Sequence, residues 1–590
     1  MDMKSLIENT PKRLLILFFL ATCVVACGSG GGGGGDKRLP GPPTIVSSTP
    51  ADGAIDIRVT TSQVRVTFSE SIDDSFSDAM VVGTFSLGEF TLGYNLMRYV
   101  SYDNNSRTLT IDLQGFRDLQ FVVLGELQAG VFGRYLEWNA EYRIVLSGIR
   151  DLDGEAMPLS YISFQTYRNP EYRDITYSPA GVVSDYSEDT YDSENNLTRS
   201  VFSYSGAGPD ATWFTDDDIF STYYAYTYNS DNDKTGRIYY DGAGADGIWF
   251  TADDDINVYT VYEYDTNHHQ IRSIHYNDPG ADAIWFTTDD LVSQYSTFSY
   301  NAYNLMTQVN TYDGFGADAV WFTDDDEMSD WTRITYNEYT VFTRYTRYMD
   351  AGADGLWLTA DDTVDRSMAM TYNDRNFRTS WAEYTGPGAD GSWFTSDDVF
   401  SYYFRLEYDS DDNLIRLSRY SGLGPDGILF TDDDAVDGYF SFVYDTGNVL
   451  TRFVEYPDAG PDLIWFSSDD IPGSYVDVTV NEDDFVEQSV DYRDPGPDLN
   501  WFTADDPIDS YQLWTYGSAG LASRETRFSA TGGDGIWFTA DDVVGNYSAY
   551  NYASNDNRQD ESEYDDPGPD LDWFTSDDLL SDQIVYYSDF

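Results

Sequence analysis

Eleven times between residues 208 and 578 the chain sets down one aspartate and, after a step of seven residues, two adjacent aspartates. The frame is a glycine-led stretch such as GADGIWFTADD, residues 244–254. The first sets are Asp210, Asp217 and Asp218; Asp246, Asp253 and Asp254; Asp282, Asp289 and Asp290; Asp318, Asp325 and Asp326. Next come Asp354, Asp361 and Asp362; Asp390, Asp397 and Asp398; Asp426, Asp433 and Asp434; Asp462, Asp469 and Asp470. The last are Asp498, Asp505 and Asp506; Asp534, Asp541 and Asp542; Asp570, Asp577 and Asp578. Carboxylates in a turn with peptide carbonyls at hand suit Ca²⁺, which takes roughly six to eight hard oxygen ligands in flexible geometry. In the second copy Asp246, Asp253 and Asp254 would give side-chain oxygens, with carbonyls around Ile248 or the Thr251 hydroxyl completing the shell. The spacing is not that of an EF-hand, which needs alternating oxygens and a closing glutamate. A second reading needs no ion. Thr251-Ala252-Asp253-Asp254 has the form of a capping box, and Asp246 can make an Asx turn. Both stay open at this level.

Paired carboxylates are also the equipment of glycosidases, but a catalytic pair is normally a single exception to a repeat, not its theme. The three histidines, His268, His269 and His275, all fall in one unit and read as tolerated surface variation. No nucleophile elbow, zinc-protease motif or phosphate loop is present. A non-catalytic protein is expected.

What positions the aspartates is a repeat. Trp213, Trp249, Trp285, Trp321, Trp357, Trp393, Trp465, Trp501, Trp537 and Trp573 stand on one 36-residue comb, with Leu429 at the missing tooth. An array of this regularity packs each unit on its neighbours. Within a unit Val258, Thr260, Tyr262 and Tyr264 alternate with Tyr259, Val261 and Glu263, as a strand requires. The turn Asp265-Thr266-Asn267 and a second strand, Ile271 to Tyr276, complete a hairpin before the next loop. Tyr228, Tyr264, Tyr300, Tyr336, Tyr372, Tyr408 and Tyr444 keep the same period and are expected to form aromatic ladders on one sheet face. Trp249 and Phe250 have two readings: buried, they plug the loop onto the next hairpin; exposed, a row of tryptophans would stack on sugar rings. Tyr264-Asp265 and the run Tyr408 to Arg416 (YDSDDNLIR) resemble the tyrosine-aspartate, or RHS-type, repeat of bacterial surface and toxin proteins. The resemblance covers about half of each unit, Val480 departs from it, and no toxin domain is expected after Phe590.

Against 33 basic residues stand 103 acidic ones, a net charge of −70, yet 41% hydrophobic and 16% aromatic content is enough to fill a core. The expectation is a folded, strongly anionic protein that repels nucleic acid and attracts cations. The only cysteines, Cys23 and Cys27, precede the repeats, so no disulfide framework is expected there. Lys4, Lys12 and Arg13 lead into the apolar run Leu14 to Val25, which fits a secretory signal. Its ending, Val24-Val25-Ala26-Cys27, resembles the lipobox of bacterial lipoproteins, which implies lipidation at Cys27. The glycine run Gly30 to Gly35 reads as a flexible tether. Beyond it Val64, Val66 and Phe68 alternate with Arg65 and Thr67. The stretches from Pro42 to Asp73 and from Glu141 to Thr166, with STPADGA, VTFSE and SGIRDLDG in order, resemble the bacterial Ig-like domain of surface-layer proteins, which implies a β-sandwich spacer.

The chain thus divides into a signal peptide with lipobox (1–27), a tether (28–41), an Ig-like domain (42–167) and the array (168–590). The expected fold is all-β: an Ig-like sandwich followed by an antiparallel hairpin array of eleven copies, open or closed into a ring. The expected function is that of a cell-envelope lipoprotein, structural or adhesive. It would be anchored by lipid at the outer membrane or cell surface, with an array stabilised by calcium and with glycans or surface proteins as partners. The alternatives are a glycan-binding module and a polysaccharide hydrolase.

Overall fold

The computed structural model describes residues 41–590 except 77–78, 88–89, 114–135, 137–139, 167–170, 390, 396–397, 423, 426–433, 518–519, 554–556 and 587–590. Cys27, tether residues 28–40 and four loop aspartates, Asp390, Asp397, Asp426 and Asp433, lie outside the described residues.

Residues 45–166 form two sheets face to face. One orders its strands Ile45–Thr49, Gln63–Phe68, Thr108–Asp112 and Val100–Asp103. The other runs Ala54–Ile57, Ser160–Thr166, Glu141–Ser147, Met80–Leu87 and Phe90–Asn95, its first pairing parallel. The alternation read in the sequence is the pattern of burial: Val64, Val66 and Phe68 enter the core with Leu109, Ile111, Ile144, Ile162 and Phe164, while Arg65 stays out. Shielding such apolar surface is worth about 25 cal/mol per Å².

The rest of the chain is one antiparallel meander of twenty-five strands, from Glu171–Tyr177 to Leu579–Tyr586, which closes on itself. The first strand pairs with the last, Asp174 opposite Ile584 and Ile175 opposite Gln583, so the array is a ring. Because neighbours alternate in direction, the described acidic loops lie on one rim and the described short turns on the other. Most of the described short turns are set by their first residue, as where the Asp265 carboxylate accepts the amides of Asn267 (2.7 Å) and His269 (2.9 Å). The fourth residue is left-handed, as at Asn232, His268, Asn304 and Asn376 (φ 64, 65, 62 and 58°), which explains why asparagine recurs there.

The tyrosine comb does not form stacked ladders. Tyr264 and Tyr300 lie on strands separated by a third, about 9.6 Å apart at the usual strand spacing, too far for ring contact. Their hydroxyls bridge the gap instead: Tyr264 donates to the Lys234 carbonyl (2.9 Å), Tyr300 to Gln270 (2.9 Å) and Tyr336 to Met306 (2.8 Å). Stacking of tyrosine on tyrosine belongs to a different pair, Tyr259 on Tyr276 (4.4 Å between centroids, 6° between planes), repeated at Tyr295 and Tyr312.

The Ig-like domain sits on the short-turn rim. Val82 and Val145 pack with Val341, Arg143 donates to the Tyr303 carbonyl (3.1 Å), and Asn95 to the Arg375 carbonyl. Arg98 reaches the Asp411 carbonyl (2.8 Å) and Asn413 Oδ1 (2.9 Å). Four consecutive turns carry this seat.

Candidate functional site

Among the described residues the acidic loops fold back across the strand that precedes each of them. In the loop of residues 244–254 the three aspartates do three different things. Asp246 makes an Asx turn, its Oδ1 accepting the Ile248 amide (2.7 Å). Asp253 Oδ2 gathers the amides of Ala245 (3.0 Å) and Asp246 (3.1 Å), and its Oδ1 takes the Thr251 hydroxyl (2.8 Å). The Thr251 hydroxyl, first among the causes, and these amides hold the Asp253 carboxyl below the ordinary carboxylate range. Asp254 closes the loop, with Oδ2 on the Phe250 amide (2.7 Å) and Oδ1 on the Thr251 hydroxyl (3.2 Å).

That closing aspartate is buried in every copy, from 0% exposed at Asp398 to 9% at Asp326. A buried carboxylate needs strong donors, and the decisive one comes from about 31 residues earlier. Tyr223 donates to Asp254 Oδ2 (2.8 Å), Tyr259 to Asp290 (2.6 Å), Tyr295 to Asp326 (2.7 Å) and Tyr439 to Asp470 (2.7 Å). The same bond joins Tyr186 to Asp218, Tyr403 to Asp434, Tyr475 to Asp506, Tyr511 to Asp542 and Tyr547 to Asp578. Where residue 331 is tryptophan, its Nε1–H supplies the donor to Asp362 (2.6 Å). The exception is Ser367, whose hydroxyl bonds within its own strands, leaving Asp398 to the amides of Phe394 and Thr395 and the Thr395 hydroxyl. Burial first, then the bond to the carboxylate, raises the tyrosine pKa well above its ordinary value, as at Tyr223 and Tyr259.

The aromatic pair of the loop divides its labour. Trp285 is half-buried against Tyr259 (5.7 Å, 84°). Phe286 is 55% exposed, although it too leans on the Tyr259 ring (4.7 Å). Both therefore plug the loop onto the preceding hairpin, not the next one as the sequence suggested. The phenylalanine position is left-handed in copy after copy (Phe250 φ 67°, Phe322 70°, Phe466 67°), a conformation that costs a bulky residue about 1–2 kcal/mol. It is held by the hydrogen bond its backbone N–H donates to the closing aspartate and by an arginine of an earlier strand: Arg199 lies over Phe250 (3.8 Å), Arg416 over Phe466 (4.2 Å) and Arg524 over Phe574 (4.1 Å). Glycine opens the loop because a Cβ at Gly244 (φ 62°) would overlap the Asp253 carbonyl.

Among the described residues no loop brings three carboxylates to one point; the one such group of possible metal ligands is Asp231, Asp233 and His268. Asp246 and Asp253 stay at the solvent face and Asp254 turns inward, and the same division holds at Asp282, Asp289 and Asp290, at Asp318, Asp325 and Asp326, and at Asp354, Asp361 and Asp362. It holds again at Asp462, Asp469 and Asp470, at Asp498, Asp505 and Asp506, at Asp534, Asp541 and Asp542, and at Asp570, Asp577 and Asp578. Asp210, Asp217 and Asp218 follow suit. Two of the histidines are not surface variation, while His268 stays partly exposed on its turn. His269 is buried and stacked on Tyr300 (4.8 Å), and burial lowers the His275 pKa.

Residues 40–166 match the family model of the bacterial Ig-like domain. A domain of this kind fits a structural or cell-surface role. No curated protein matches the chain. Among solved structures, a TcdB2-TccC3-Cdc42 structure is 8% identical over 72% of this chain and 29% of that one, with a TM-score of 0.17, so the match spans less than a third of that chain. A porin-like protein from Bacteroides uniformis is 10% identical over 52% of this chain and 93% of that one (TM-score 0.19). The surface layer protein SbsC, domains 1–6, is 12% identical over 75% and 66% (TM-score 0.14). Scores this low establish no common fold.

Proposed function

We propose that this chain is a non-catalytic scaffold of the bacterial cell envelope, a closed β-ring carried on an Ig-like domain and anchored by lipid at Cys27. The observation that carries the reading is the use made of the repeated aspartates: they clasp loop to hairpin around the ring, so the residues that invite a catalytic or ligand-binding reading are engaged in holding the fold. The Ig-like match at residues 40–166 supports a surface setting, and the ending Val24-Val25-Ala26-Cys27 supports the anchor. Expression in a Gram-negative host with labelled palmitate tests the anchor. The wild-type chain takes up label and sediments with membranes, whereas Cys27→Ala stays unlabelled and soluble; equal partition of the two refutes it.

Calcium remains a second reading for the solvent-facing pair in each loop, favoured by the closeness of Asp246 and Asp253 in a chain of net charge −70. Calorimetry of the lipid-free chain with Ca²⁺ and with a chelator decides: an unmoved unfolding midpoint and no heat of binding leave the clasp metal-free. A glycan-binding role is less well supported, because the tryptophan rings stand half-buried against tyrosine. Silence across a glycan array is the expected result.

A further inference from the structure

One place in the ring departs from its own repeat in a way that makes a different kind of site. At the fifth position of the short turn most units carry an apolar residue or asparagine: Asn196, Leu305, Val341, Phe377, Asn413, Val449. The turn of residues 229–233 has Asp233 there, 7% exposed. The neighbouring turn, residues 265–269, has a histidine at the left-handed fourth position where asparagine recurs. The two departures face each other. His268 Nδ1 is 2.9 Å from Asp233 Oδ2, and a carboxylate oxygen of Asp231, an exposed residue of the first turn, completes a group whose ligand atoms all lie within 4.8 Å of one another. Asn229 Nδ2 donates to Asp233 Oδ2 (2.9 Å), fixing that carboxylate from behind.

We propose that Asp231, Asp233 and His268 form a binding site for a transition-metal dication of the zinc type, bridging two adjacent hairpins on the short-turn rim. An imidazole nitrogen with two carboxylates is the donor set that zinc and its neighbours take, and a hard cation such as Ca²⁺ prefers oxygens alone. With three protein ligands, and Asp231 at the surface, the fourth position falls to water. Because the ligands come from two turns, the ion would add a cross-link between hairpins already joined by backbone pairing, by the Tyr264 hydroxyl on Lys234 and by the Lys234 ammonium over the Tyr262 ring. The site lies next to the turn of Tyr303, where the seat of the Ig-like domain begins. It is independent of the acidic loops, which offer oxygen only, and of the scaffold reading.

The test is zinc titration of the metal-free, lipid-free full chain by calorimetry in millimolar CaCl₂, which occupies oxygen-only sites. The expected result is one equivalent of Zn²⁺ bound with Kd on the order of 1 μM, and a Co²⁺ adduct with the visible absorption of a low-coordinate nitrogen–oxygen site. His268→Asn places at this position the residue that Asn232, Asn304 and Asn376 show to be compatible with the turn. It should keep the circular dichroism and melting midpoint of the metal-free protein and lose the tight equivalent, weakening binding by at least about 100-fold. Asp231→Asn should weaken it less, since the Asp233–His268 pair remains. The proposal is overturned if wild type binds no zinc above the calcium background, which would leave an ion pair only, or if His268→Asn binds as wild type does.

Discussion

Removing one hydroxyl tests whether the buried aspartates hold the loops. In Tyr259→Phe the ring keeps its stack on Tyr276 and its contacts with Trp285 and Phe286, and what disappears is the 2.6 Å bond to Asp290. Asp290 is 8% exposed, so water does not readily take the place of the lost donor. A hydrogen bond to a charged group is worth about 1.5–3 kcal/mol, and a buried carboxylate left short of a donor adds to that cost, so a loss of about 2–3 kcal/mol is expected. Urea unfolding followed by tryptophan fluorescence gives the total, and amide exchange across residues 280–290 locates it. Tyr276→Phe is the control, since its hydroxyl is not the donor to Asp290. The same logic predicts that Trp331→Phe is costly and that Trp331→Tyr is mild, because tyrosine is the donor used in the sister repeats. The reasoning is refuted if Tyr259→Phe falls within about 0.5 kcal/mol of wild type or matches Tyr276→Phe.

Gly244→Ala should open its loop, detected as fast exchange of the Phe250 amide. Gly247→Ala, equally left-handed but with open space around it, should cost only about 1 kcal/mol. Melting midpoints against pH should show a plateau with two falling flanks. The clasp tyrosines, whose folded pKa is raised, contribute fully below the ordinary value of about 10 and lose that contribution as pH rises above it. The Asp253-type carboxyls, whose folded pKa is lowered, contribute above the ordinary value of about 4 and lose it as pH falls through the lowered one. A profile flat from pH 3 to pH 11, taken as rough limits, contradicts both assignments. Deleting the strand Leu579–Tyr586 should raise the assembly state above that of the wild-type chain by light scattering, since it bares two unpaired strands; an unchanged assembly state argues against closure.

Much of this was legible in the residues. The alternation around Val64 to Phe68 and the STPADGA opening led to the sandwich, and the tryptophan comb led to the hairpin unit. Ring closure was not legible, because pairing of Glu171–Tyr177 with Leu579–Tyr586 depends on accumulated twist, which no local pattern encodes. The roles of the aspartates were half legible. Asp246 is the Asx turn expected of it, but Thr251 donates its hydroxyl where a capping box would have it accept an amide. The clasp tyrosine was missed although its signal is present: Tyr223, Tyr259, Tyr295, Tyr403 and Tyr439 each stand 31 residues before a closing aspartate, a spacing overshadowed by the comb at Tyr264.

The seam also sets an order of events. Nearly every other pairing in the ring joins residues within about one repeat of each other, so each hairpin can form as soon as it exists, with little loop entropy to overcome. The pairing of Ile175 with Gln583 cannot form until the final strand has been made. During synthesis the strand after the Ig-like domain waits with one side unpaired while the hairpins accumulate behind it. The growing end is likewise unpaired until the last strand arrives. A chain built this way is most exposed to sticking to its neighbours just before the ring closes, and its high negative charge repels other copies through that interval.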